Sequence, residues 1–409
     1  MVNWLLYACS YFSLFTAVLF LLTFLEHAPK LRNPHPKRWP SVSVIVPAYN
    51  EERHIAATLR SLLALRYKGK CEIMVVDDGS TDRTFAIAQS FQKYGVRTFT
   101  KRNTGKGDSL NFGLKRAKGE LVACLDADSM VDPNCLARMV GYFNDPRVMA
   151  VTPSLKIHRP CGTLQRVQQL EYLFGVYLRK VFSYLGSIHV TPGPFSVFRR
   201  SFFRKHGGYD TTTLTEDIEI AMRIQSKQYI IENSIDANVW TVAPETFRGL
   251  FRQRLRWYIG FLDNVVKYKR MFGNRRYGNL GMFFLPGVFV SNALVIALFG
   301  YLLYRIGYRS YQGILDLIAI RFDIWPMLRF NIDLFYLNLD ALFVLSVIGL
   351  CTGIIMLYLA KRCSRDTDRF GRGFLLHLFL YLPLYAVWWI VSGAYKVTGK
   401  SLAWGSKVQ

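Results

Sequence analysis

Long apolar runs lie at both ends of the chain and limit the folds that it can adopt. Residues 4–25 carry no charge and, at about 22 residues, are long enough to cross a hydrocarbon core of roughly 30 Å as a helix. This run lacks the basic start and the small-residue cleavage site of a secretory signal, so we expect a membrane anchor that is retained. Three later runs are also long enough to span a membrane: residues 281–304, 334–360 and 374–391.

Basic residues near these runs predict their orientation. The first run is followed by Lys30, Arg32, Lys37 and Arg38, and the loop 361–372 between the last two runs is strongly basic. The positive-inside tendency places both segments in the cytoplasm and both chain ends outside. Part of the outer loop, residues 314–328, is expected to be an amphipathic segment at the membrane interface. Four arginines of this loop go against the tendency: Arg305, Arg309, Arg321 and Arg329.

The formal net charge of +24 on 409 residues indicates an anionic partner, either membrane headgroups or a phosphorylated substrate. Nucleic acid is not expected, because the sequence has no zinc finger, no basic helical arm and no aromatic-rich RNA-binding signature. The seven cysteines stand singly, without a Cys-x-x-Cys pair. Neither a disulfide framework nor a thiolate metal site is therefore predicted.

From residue 41 to about residue 271 the sequence predicts alternating strands and helices. VSVIVPAYN, CEIMVVDDG and GELVACLDAD are continuous apolar runs that end in polar residues, as buried parallel strands do. Helical spacing follows the first two runs. This alternation predicts an α/β domain with a mostly parallel sheet, whose ligands bind at the carboxyl ends of the strands. The polar residues at those ends are Tyr49, Asn50, Glu51, Asp77, Asp78, Asp126 and Asp128.

Asp126 and Asp128 are candidate ligands of a divalent cation. Two carboxylates two residues apart can hold a hard ion together with a diphosphate, which is how proteins usually bind Mg²⁺. The pattern alone is weak, because Asp-x-Asp also occurs in solvated turns. Asp77 and Asp78, before Gly79, have the same ordinary explanation. The order of motifs along the chain is more specific.

That order is VIVPAYNE, DDGSTD, RNTGKGDSLNFG, LDAD, TPGPFSVFRR, LTEDIEIAMR and QRLRW. Over residues 41–260 it resembles the inverting glycosyltransferases of family 2, which use nucleotide-diphosphate sugars. The resemblance is closest to the membrane-integrated branch that includes cellulose, chitin and hyaluronan synthases. It implies a Rossmann-like α/β catalytic domain of the GT-A fold and a hexosyltransferase activity. It also implies a UDP- or GDP-linked sugar donor and a divalent metal, Mg²⁺ or Mn²⁺.

The resemblance assigns site residues by position in these motifs. Asp78 would recognise the base of the nucleotide. Asp128 would be the direct metal ligand, and Asp126 would contact the ribose or the metal. The residues implied for nucleotide-sugar binding are Pro47, Tyr49, Glu51, Asp78, Lys106 and Asp126.

Catalysis and acceptor binding are implied for the later motifs. Asp217, preceded by Glu216 in the Thr-Glu-Asp motif, would be the general base, since an acceptor hydroxyl must lose its proton to a carboxylate within reach. Gly193 and Ser196 satisfy the Gly-x-x-Ser pattern of the segment that cradles the donor and the acceptor's terminal sugar. Phe195 and its neighbouring proline make this loop bulkier than is usual, which leaves the type of acceptor open.

The last motif predicts a helix with two different faces. A rotation of about 100° per residue places Gln253, Arg256 and Trp257 on one face. We expect this face to meet the catalytic domain, with Arg256 on the diphosphate and Trp257 on a sugar ring. The opposite apolar stripe is expected to rest in the membrane interface: Phe251, Leu255, Tyr258 and Leu262. Three arginines are assigned mainly to that interface: Arg248, Arg252 and Arg254.

These expectations give four parts. Residues 1–30 form an N-terminal anchor, 41–240 a cytoplasmic GT-A domain, 241–275 an amphipathic interface helix, and 281–396 a bundle of three transmembrane helices. The predicted function is transfer of one sugar to a glycan, a lipid-linked oligosaccharide, at the cytoplasmic face of the cell membrane, in contact with membrane lipids. The alternative is a processive synthase that extends and extrudes a polysaccharide.

Two further alternatives are less favoured. A membrane scaffold without activity predicts loss of the motif carboxylates, yet Asp78, Asp126, Asp128 and Asp217 are all present. Enzymes that transfer a sugar directly to a polyprenyl phosphate usually lack the Gln-x-x-Arg-Trp motif, which this chain carries.

Overall fold

The computed structural model describes residues 2–322, 341–365 and 373–399. The polar middle of the chain folds around one eight-stranded sheet. Its strands are β1 (Val42–Ala48), β2 (Cys71–Asp77), β3 (Arg97–Thr100), β4 (Leu121–Cys124), β5 (Ser129–Val131), β6 (Val148–Ile157), β7 (Ser196–Arg199) and β8 (Ile230–Thr241).

The strand order across the sheet is β3-β2-β1-β4-β7-β6-β8-β5. β1, β2, β3 and β4 pair in parallel, as do β6 and β8. β7 runs antiparallel to both β4 and β6, and β5 runs antiparallel to β8. Every residue of β1 and β4 is buried, which matches their continuous apolar sequences. The predicted mostly parallel α/β sheet is confirmed.

Eight helices of the described chain lie around the sheet: α2 (Ile55–Leu63), α3 (Thr84–Ser90), α4 (Lys106–Arg116), α5 (Cys135–Val140), α6 (Thr163–Tyr184), α7 (Arg200–His206), α8 (Glu216–Ser226) and α9 (Phe247–Lys267). Four more lie outside that layer: α1 (Val2–Glu26), α10 (Leu285–Ala319), α11 (Ala341–Cys363) and α12 (Gly373–Val397). Alternate residues of β1 face opposite layers, because side chains of a strand alternate between its two faces. Val44 packs with Leu59 of α2, and Ile45 packs with Leu110 of α4.

Three helices of the described chain are long and apolar enough to cross a membrane: Trp4–Glu26, Leu280–Ala319 and Ala341–Cys363. They correspond to the first three predicted spans. Residues 334–340 of the third predicted span lie outside the described residues.

The prediction that a loop begins after residue 304 is wrong. α10 continues to Ala319, so Arg305 and Arg309 lie on a helix and not in a loop. The helical pattern is uninterrupted because no proline occurs between Pro286 and Pro326. Arg321 follows the end of α10 in a turn. The predicted amphipathic segment 314–328 therefore begins inside α10, and residues 323–328 and Arg329 lie outside the described residues.

The fourth predicted span falls in α12, which lies along α9. Tyr381 of α12 is hydrogen-bonded to Arg254 of α9, and Lys396 of α12 forms an ion pair with Asp263 near the end of α9. Some side chains of α12 are outside the description, so the span there stays a prediction.

The predicted membrane contact of the apolar stripe of α9 is wrong for much of its length. Tyr258 packs against Tyr385 and Trp389 of α12, with ring centroids 5.7 and 4.9 Å apart. Phe251 and Leu262 belong to the same apolar clusters as residues of α12. The sequence pattern required an apolar surface over this stripe, and α12 supplies it in place of lipid.

The carboxyl end of α11 is hydrogen-bonded to the sheet. Lys156 of β6 donates from Nζ to the carbonyl of Ser364 at 2.9 Å, and Asn238 of β8 donates from Nδ2 to the same oxygen at 3.1 Å. These donors satisfy a carbonyl that the end of a helix leaves without an intrahelical partner. Phe24, near the end of α1, stacks on Tyr177 of α6. α1 and α11 therefore both end against the sheet domain.

Replacing Lys156 by methionine should lower stability by about 1–3 kcal/mol, because it removes a charged donor from a buried carbonyl while keeping an apolar stem. The expected result is a lower midpoint of thermal unfolding in detergent. Lys118→Met, at an exposed position, is the control and should leave the midpoint unchanged. Equal midpoints for the two variants would contradict a stabilising role for this contact.

Candidate active site

One lysine joins two motifs that lie far apart in the sequence. Nζ of Lys106 is 2.7 Å from Oδ1 of Asp126 and 2.9 Å from Oε1 of Glu216. Lys106 begins α4, Asp126 follows β4, and Glu216 begins α8. Burial alone would lower the pKa of the lysine, but the two carboxylates raise it well above its usual value. The strand and helix ends therefore meet at one charged centre, where both predicted carboxylate motifs lie.

The loop before β7 closes over this centre at Gly193. A Cβ atom on Gly193 would lie 2.8 Å from both Nζ of Lys106 and Oδ2 of Asp126, so only glycine fits without displacing them. Ser196 is buried, and its hydroxyl donates to the carbonyl of Pro192 at 2.6 Å. Ser196 thus holds the loop, and its contact with an acceptor stays a prediction.

Phe195 does not enlarge the loop toward the site. It is fully buried in the apolar core, has a φ of 61°, and donates its backbone N–H to the carbonyl of Cys124 at 2.6 Å. Its ring therefore adds to the core and not to the surface of the loop.

Asp128 lies in a negative environment. Burial, together with the nearby carboxylates of Asp126 and Glu51, raises its pKa to about 6, against a hydrogen bond from Ser129 at 2.9 Å. In the described residues no three His, Cys, Asp or Glu side chains are grouped closely enough to hold a metal ion by themselves. The donors instead fit a divalent cation that also binds phosphate oxygens, because Mg²⁺ usually takes one or two carboxylates and completes its shell from the substrate.

Asp78 is covered by the loop that precedes α4. Its Oδ1 accepts hydrogen bonds from Nζ of Lys101 at 2.5 Å and from the backbone N–H of Thr104 at 3.1 Å. Its Oδ2 accepts from the backbone N–H of Gly105 at 2.8 Å. Both oxygens are therefore bonded to one short loop, and recognition of a base by Asp78 stays a prediction.

The other residues predicted for the nucleotide lie along the same edge of the sheet. Pro47 is buried within β1, opposite Val76 of β2. Tyr49 follows the strand and is exposed. Glu51 accepts a hydrogen bond from Nδ1 of His54 at 2.9 Å. Of these three, Tyr49 and Glu51 offer side chains beyond the strand end.

Asp217 has a hydrogen-bonded backbone carbonyl and a buried carboxyl group with charged neighbours. Burial, with a contribution from Glu216, raises the pKa of its carboxyl to about 6, while Lys106 and Arg256 act in the opposite direction. Thr191 donates to the carbonyl of Asp217 from its backbone N–H at 3.1 Å and from its hydroxyl at 2.9 Å. The result is a buried carboxylate with raised proton affinity beside the lysine-centred cluster.

Helix α9 brings Arg256 to these carboxylates. A side chain on Gly260 would overlap Thr215, so α9 approaches the start of α8 closely at this position. Asn264, one turn further on, donates from Nδ2 to the hydroxyl of Thr215 at 3.1 Å. Arg256 lies one turn before Gly260, and its positive charge favours the ionised form of both Glu216 and Asp217. Arg256 therefore lies near the carboxylates of the Thr-Glu-Asp motif, and its contact with a diphosphate stays a prediction.

The assignment of Arg254 to the membrane interface is wrong. Its side chain is 0% exposed and forms an ion pair with Glu171 of α6. It donates to Oε1 of Gln253 at 2.8 Å and lies 4.1 Å from the ring centroid of Trp257. The rotation per residue places Arg254 beside Trp257 on the helix, but the partner carboxylate on α6 has no local signal in the sequence. Arg248 and Arg252 are exposed, as expected.

Helix α6 contributes a residue that the sequence analysis did not identify. Burial lowers the pKa of Arg179 to about 10, and the neighbouring Tyr172 and Asp217 act in the opposite direction. One end of its guanidinium reaches the carbonyl of Pro153 at 3.5 Å. α6 therefore brings a guanidinium close to Asp217.

Known proteins resemble this chain in sequence and in fold. Residues 43–207 match the family model described as "Glycosyl transferase family 2". Over 224 residues the chain is 35% identical to a poly-beta-1,6-N-acetyl-D-glucosamine synthase of Staphylococcus epidermidis, and 34% identical to one of Staphylococcus aureus. Each match covers 54% of this chain and 54% of the relative, so the chain spans about half the length of these relatives.

A solved structure resembles nearly the whole chain. The mannosyltransferase PcManGT from Pyrobaculum calidifontis, in complex with GDP-Man and Mn²⁺, covers 97% of this chain and 100% of its own, with a TM-score of 0.58 and 18% identity. The sheet and its flanking helices define a GT-A glycosyltransferase fold. Residues 43–207 are a family 2 glycosyltransferase domain, which confirms the family predicted from the motifs in that range; the motifs at 214–223 and 253–257 lie beyond the match.

Gly260→Ala should reduce the release of nucleotide from a sugar donor by about tenfold or more, because a methyl group at this contact pushes α9, and Arg256 with it, away from α8. Gly175→Ala, within α6, is the matched control: its added Cβ meets nothing within 4 Å. Initial rates of nucleotide release measure both variants. Similar rates in the two would show that the close packing at Gly260 does not position the site.

Proposed function

We propose that this protein transfers a sugar from a nucleotide-diphosphate donor to a hydroxyl of a glycan, with inversion at the anomeric carbon. The observation that carries the proposal is the bridge from Lys106 to Asp126 and Glu216, next to Asp217. It supports the proposal because cations for a leaving diphosphate and a carboxylate for an acceptor proton then lie in one site.

The donor side of the reaction needs positive charge around the diphosphate. Lys106 and Arg256 supply it, and a guanidinium can bind a phosphate with two parallel hydrogen bonds. Asp128, with Asp126, would hold a divalent cation, which would stabilise the charge that develops on the leaving diphosphate. Gly193 has no side chain that would displace Lys106 or Asp126, so both groups keep the positions proposed for donor binding.

The acceptor side needs a base. In the proposed step the acceptor oxygen bonds to the anomeric carbon, the bond from that carbon to the diphosphate oxygen breaks, and the acceptor proton passes to Asp217. Its raised proton affinity suits this role, because a general base is most effective when its pKa lies near the working pH. Glu216 stays ionised beside it: burial raises its pKa, but Lys106 outweighs that effect and holds the pKa below the usual value.

We place this domain on the cytoplasmic side of the cell membrane. The first helix ends in a basic linker, and α11 ends at the sheet domain through Ser364. Basic segments next to membrane helices favour the cytoplasmic side. The three helices able to span a membrane support a multi-pass arrangement.

Two modes of transfer follow from the same site. The relatives are named as synthases of a polymer of N-acetylglucosamine, which favours repeated addition to a growing chain. The described chain has only three helices able to span a membrane, a small bundle for a translocation pore, which favours addition of one residue to a lipid-linked oligosaccharide.

The test is a donor screen on the purified protein in liposomes, with and without membrane lipid extract. UDP-linked N-acetylglucosamine and GDP-linked mannose come first, because the names of the relatives and of the solved structure contain these sugars. Release of nucleotide reports the reaction, and the length of the product separates the two modes. A ladder or polymer rejects single transfer, and failure to release nucleotide from every donor rejects the proposed function.

Asp217→Asn should abolish transfer while leaving donor affinity within about twofold, because the amide keeps the shape of the side chain but cannot accept the proton. Transfer is measured by product formation and donor affinity by calorimetry. Asp145→Asn, at an ion pair with Arg147 on the surface, is the control and should retain full activity. Near-normal turnover in Asp217→Asn would remove this residue from the role of base.

The rate of transfer should fall as the pH is lowered through about 6, because protonation of the Asp217 carboxylate removes the base. The rate is expected to be constant above about pH 7 and half-maximal near the pKa. Measurement of kcat at saturating donor from about pH 5 to about pH 8 checks this. A flat profile over that range would argue against a carboxylate base with raised pKa.

A further inference from the structure

Arg254 is a fully buried guanidinium in a helix that also carries the Gln-x-x-Arg-Trp motif. Glu171 of α6 pairs with its Nη2, and the hydroxyl of Tyr381 in α12 lies 3.4 Å from the same nitrogen. Tyr381 also donates to Glu171. Three helices therefore meet at one closed cluster of charged and polar groups, which we name the Arg254 cluster: Glu171, Arg254 and Tyr381.

The other side of the guanidinium faces the motif. Nη1 of Arg254 donates to Oε1 of Gln253 at 2.8 Å, and the guanidinium lies over the ring of Trp257 at 4.1 Å from the centroid. A planar guanidinium can donate along several edges and stack on an aromatic face at the same time. Arg254 thus fixes two of the three motif residues from within, and its own position is fixed by α6 and α12.

Helix adhesion alone does not account for this cluster. Leu250 of α9, Val167 of α6 and Trp388 of α12 already pack into a common apolar cluster with Tyr381. An exposed ion pair, Lys396 with Asp263, also joins α12 to α9. An ion pair in which one member is fully buried is a poor source of stability, because desolvation of that charge offsets much of the attraction. The contacts of the Arg254 guanidinium with Gln253 and Trp257 are directional, and the apolar packing between the helices does not provide them.

The donor side is held by other elements. Lys106, Asp126 and Glu216 come from α4, the end of β4 and α8, and they bind one another. Displacement of Trp257 would therefore leave the Lys106 bridge in place. Arg256 lies next to Trp257 on α9, but Gly260 and Asn264 hold this helix against Thr215 independently of the Arg254 cluster. An indole face suits the apolar face of a sugar ring, so Trp257 is suited to bind a carbohydrate.

We propose that Glu171, Arg254 and Tyr381 form a positioning unit that holds Gln253 and Trp257 in the geometry that binds the acceptor glycan, and that α12 is part of the acceptor site through it. The proposal rests on the proposed glycosyl transfer. The unit acts through Trp257 and Gln253 and does not touch the reacting atoms. Weakening this unit should affect two reactions differently. Hydrolysis of the donor by water should continue, and transfer of the sugar to a glycan should decline.

The first test compares Tyr381→Phe with the wild-type protein in liposomes. The variant removes one hydroxyl from the cluster and keeps the ring that packs on Trp388. With UDP-N-acetylglucosamine and a tetrasaccharide of N-acetylglucosamine as probes, the KM for the tetrasaccharide should rise about tenfold, the factor expected for loss of one hydrogen bond to a charged group. Hydrolysis of the donor without the tetrasaccharide should stay within about twofold.

Lys396→Gln is the matched control, since it breaks the exposed contact between the same two helices and should change neither rate, as surface ion pairs contribute little. Glu171→Gln should follow Tyr381→Phe in direction and exceed it in size. Equal losses of hydrolysis and transfer in Tyr381→Phe, or no loss of either, overturn the proposal.

Hydrogen exchange tests the same unit without any reaction. In Tyr381→Phe, peptides covering Gln253 and Trp257 should exchange faster than in the wild-type protein, and peptides covering Asp126 and Glu216 should not change. Unchanged exchange in α9 overturns the positioning role even when the activity is intact. If the wild-type protein cleaves no donor, the proposed function is refuted. If Tyr381→Phe still shows faster exchange at Gln253 and Trp257 in that case, the positioning unit remains supported.

Discussion

The arrangement of the site depends on the ammonium of Lys106, which lies between Asp126 and Glu216. Three carboxylates at the strand and helix ends, with Asp128 among them, would repel one another without a cation. The lysine offsets this repulsion, and its pKa is correspondingly high. In the proposed donor complex a divalent ion would share that task and leave the ammonium available to the diphosphate. One ammonium therefore links the packing of these carboxylates to the proposed binding of the donor.

Around this centre the walls come from helices outside the sheet. α8 carries Asp217, α9 carries Arg256, and α6 brings Arg179 near them. α9 is fixed at one end by the Gly260 contact with Thr215 and in its middle by α12. The catalytic centre and the helices that connect to the membrane are therefore not separate modules. A displacement of α12 would reach the motif on α9 through contacts already described.

The sequence predicted the parts of the site that depend on strand ends. Apolar runs that close in Asp126 and Asp78 predicted where these carboxylates lie, because parallel strands bring their carboxyl ends to one edge. The position of Arg256 followed from helical rotation. Arg254 did not, because its environment depends on Glu171, whose distance in the sequence gives no periodic signal. The same limit applied to the apolar stripe of α9, whose composition is equally compatible with lipid and with α12.

The arginines of α10 led to the wrong prediction of a loop within this helix. Arg305 and Arg309 were expected to lie in a loop, yet helical hydrogen bonds continue wherever the backbone is not interrupted, in lipid or in water. Phe195 was interpreted as bulk in the acceptor loop. Its backbone conformation turns the ring into the core instead, and neither composition nor spacing reports a positive φ. Local sequence patterns thus predicted most helices and strands, but they did not predict contacts between segments that are distant in the sequence.

The loop that covers Asp78 has a consequence for how this site can change over time. Lys101, Thr104 and Gly105 bind the carboxylate from one short segment, which lies between β3 and α4 and forms no part of either. Substitutions of Lys101 or Thr104 alter the surroundings of this carboxylate and leave the side chains of the Lys106 bridge unchanged. In the proposed donor complex, where Asp78 contacts the base, nucleotide preference can therefore change through this segment while the groups proposed for catalysis stay the same.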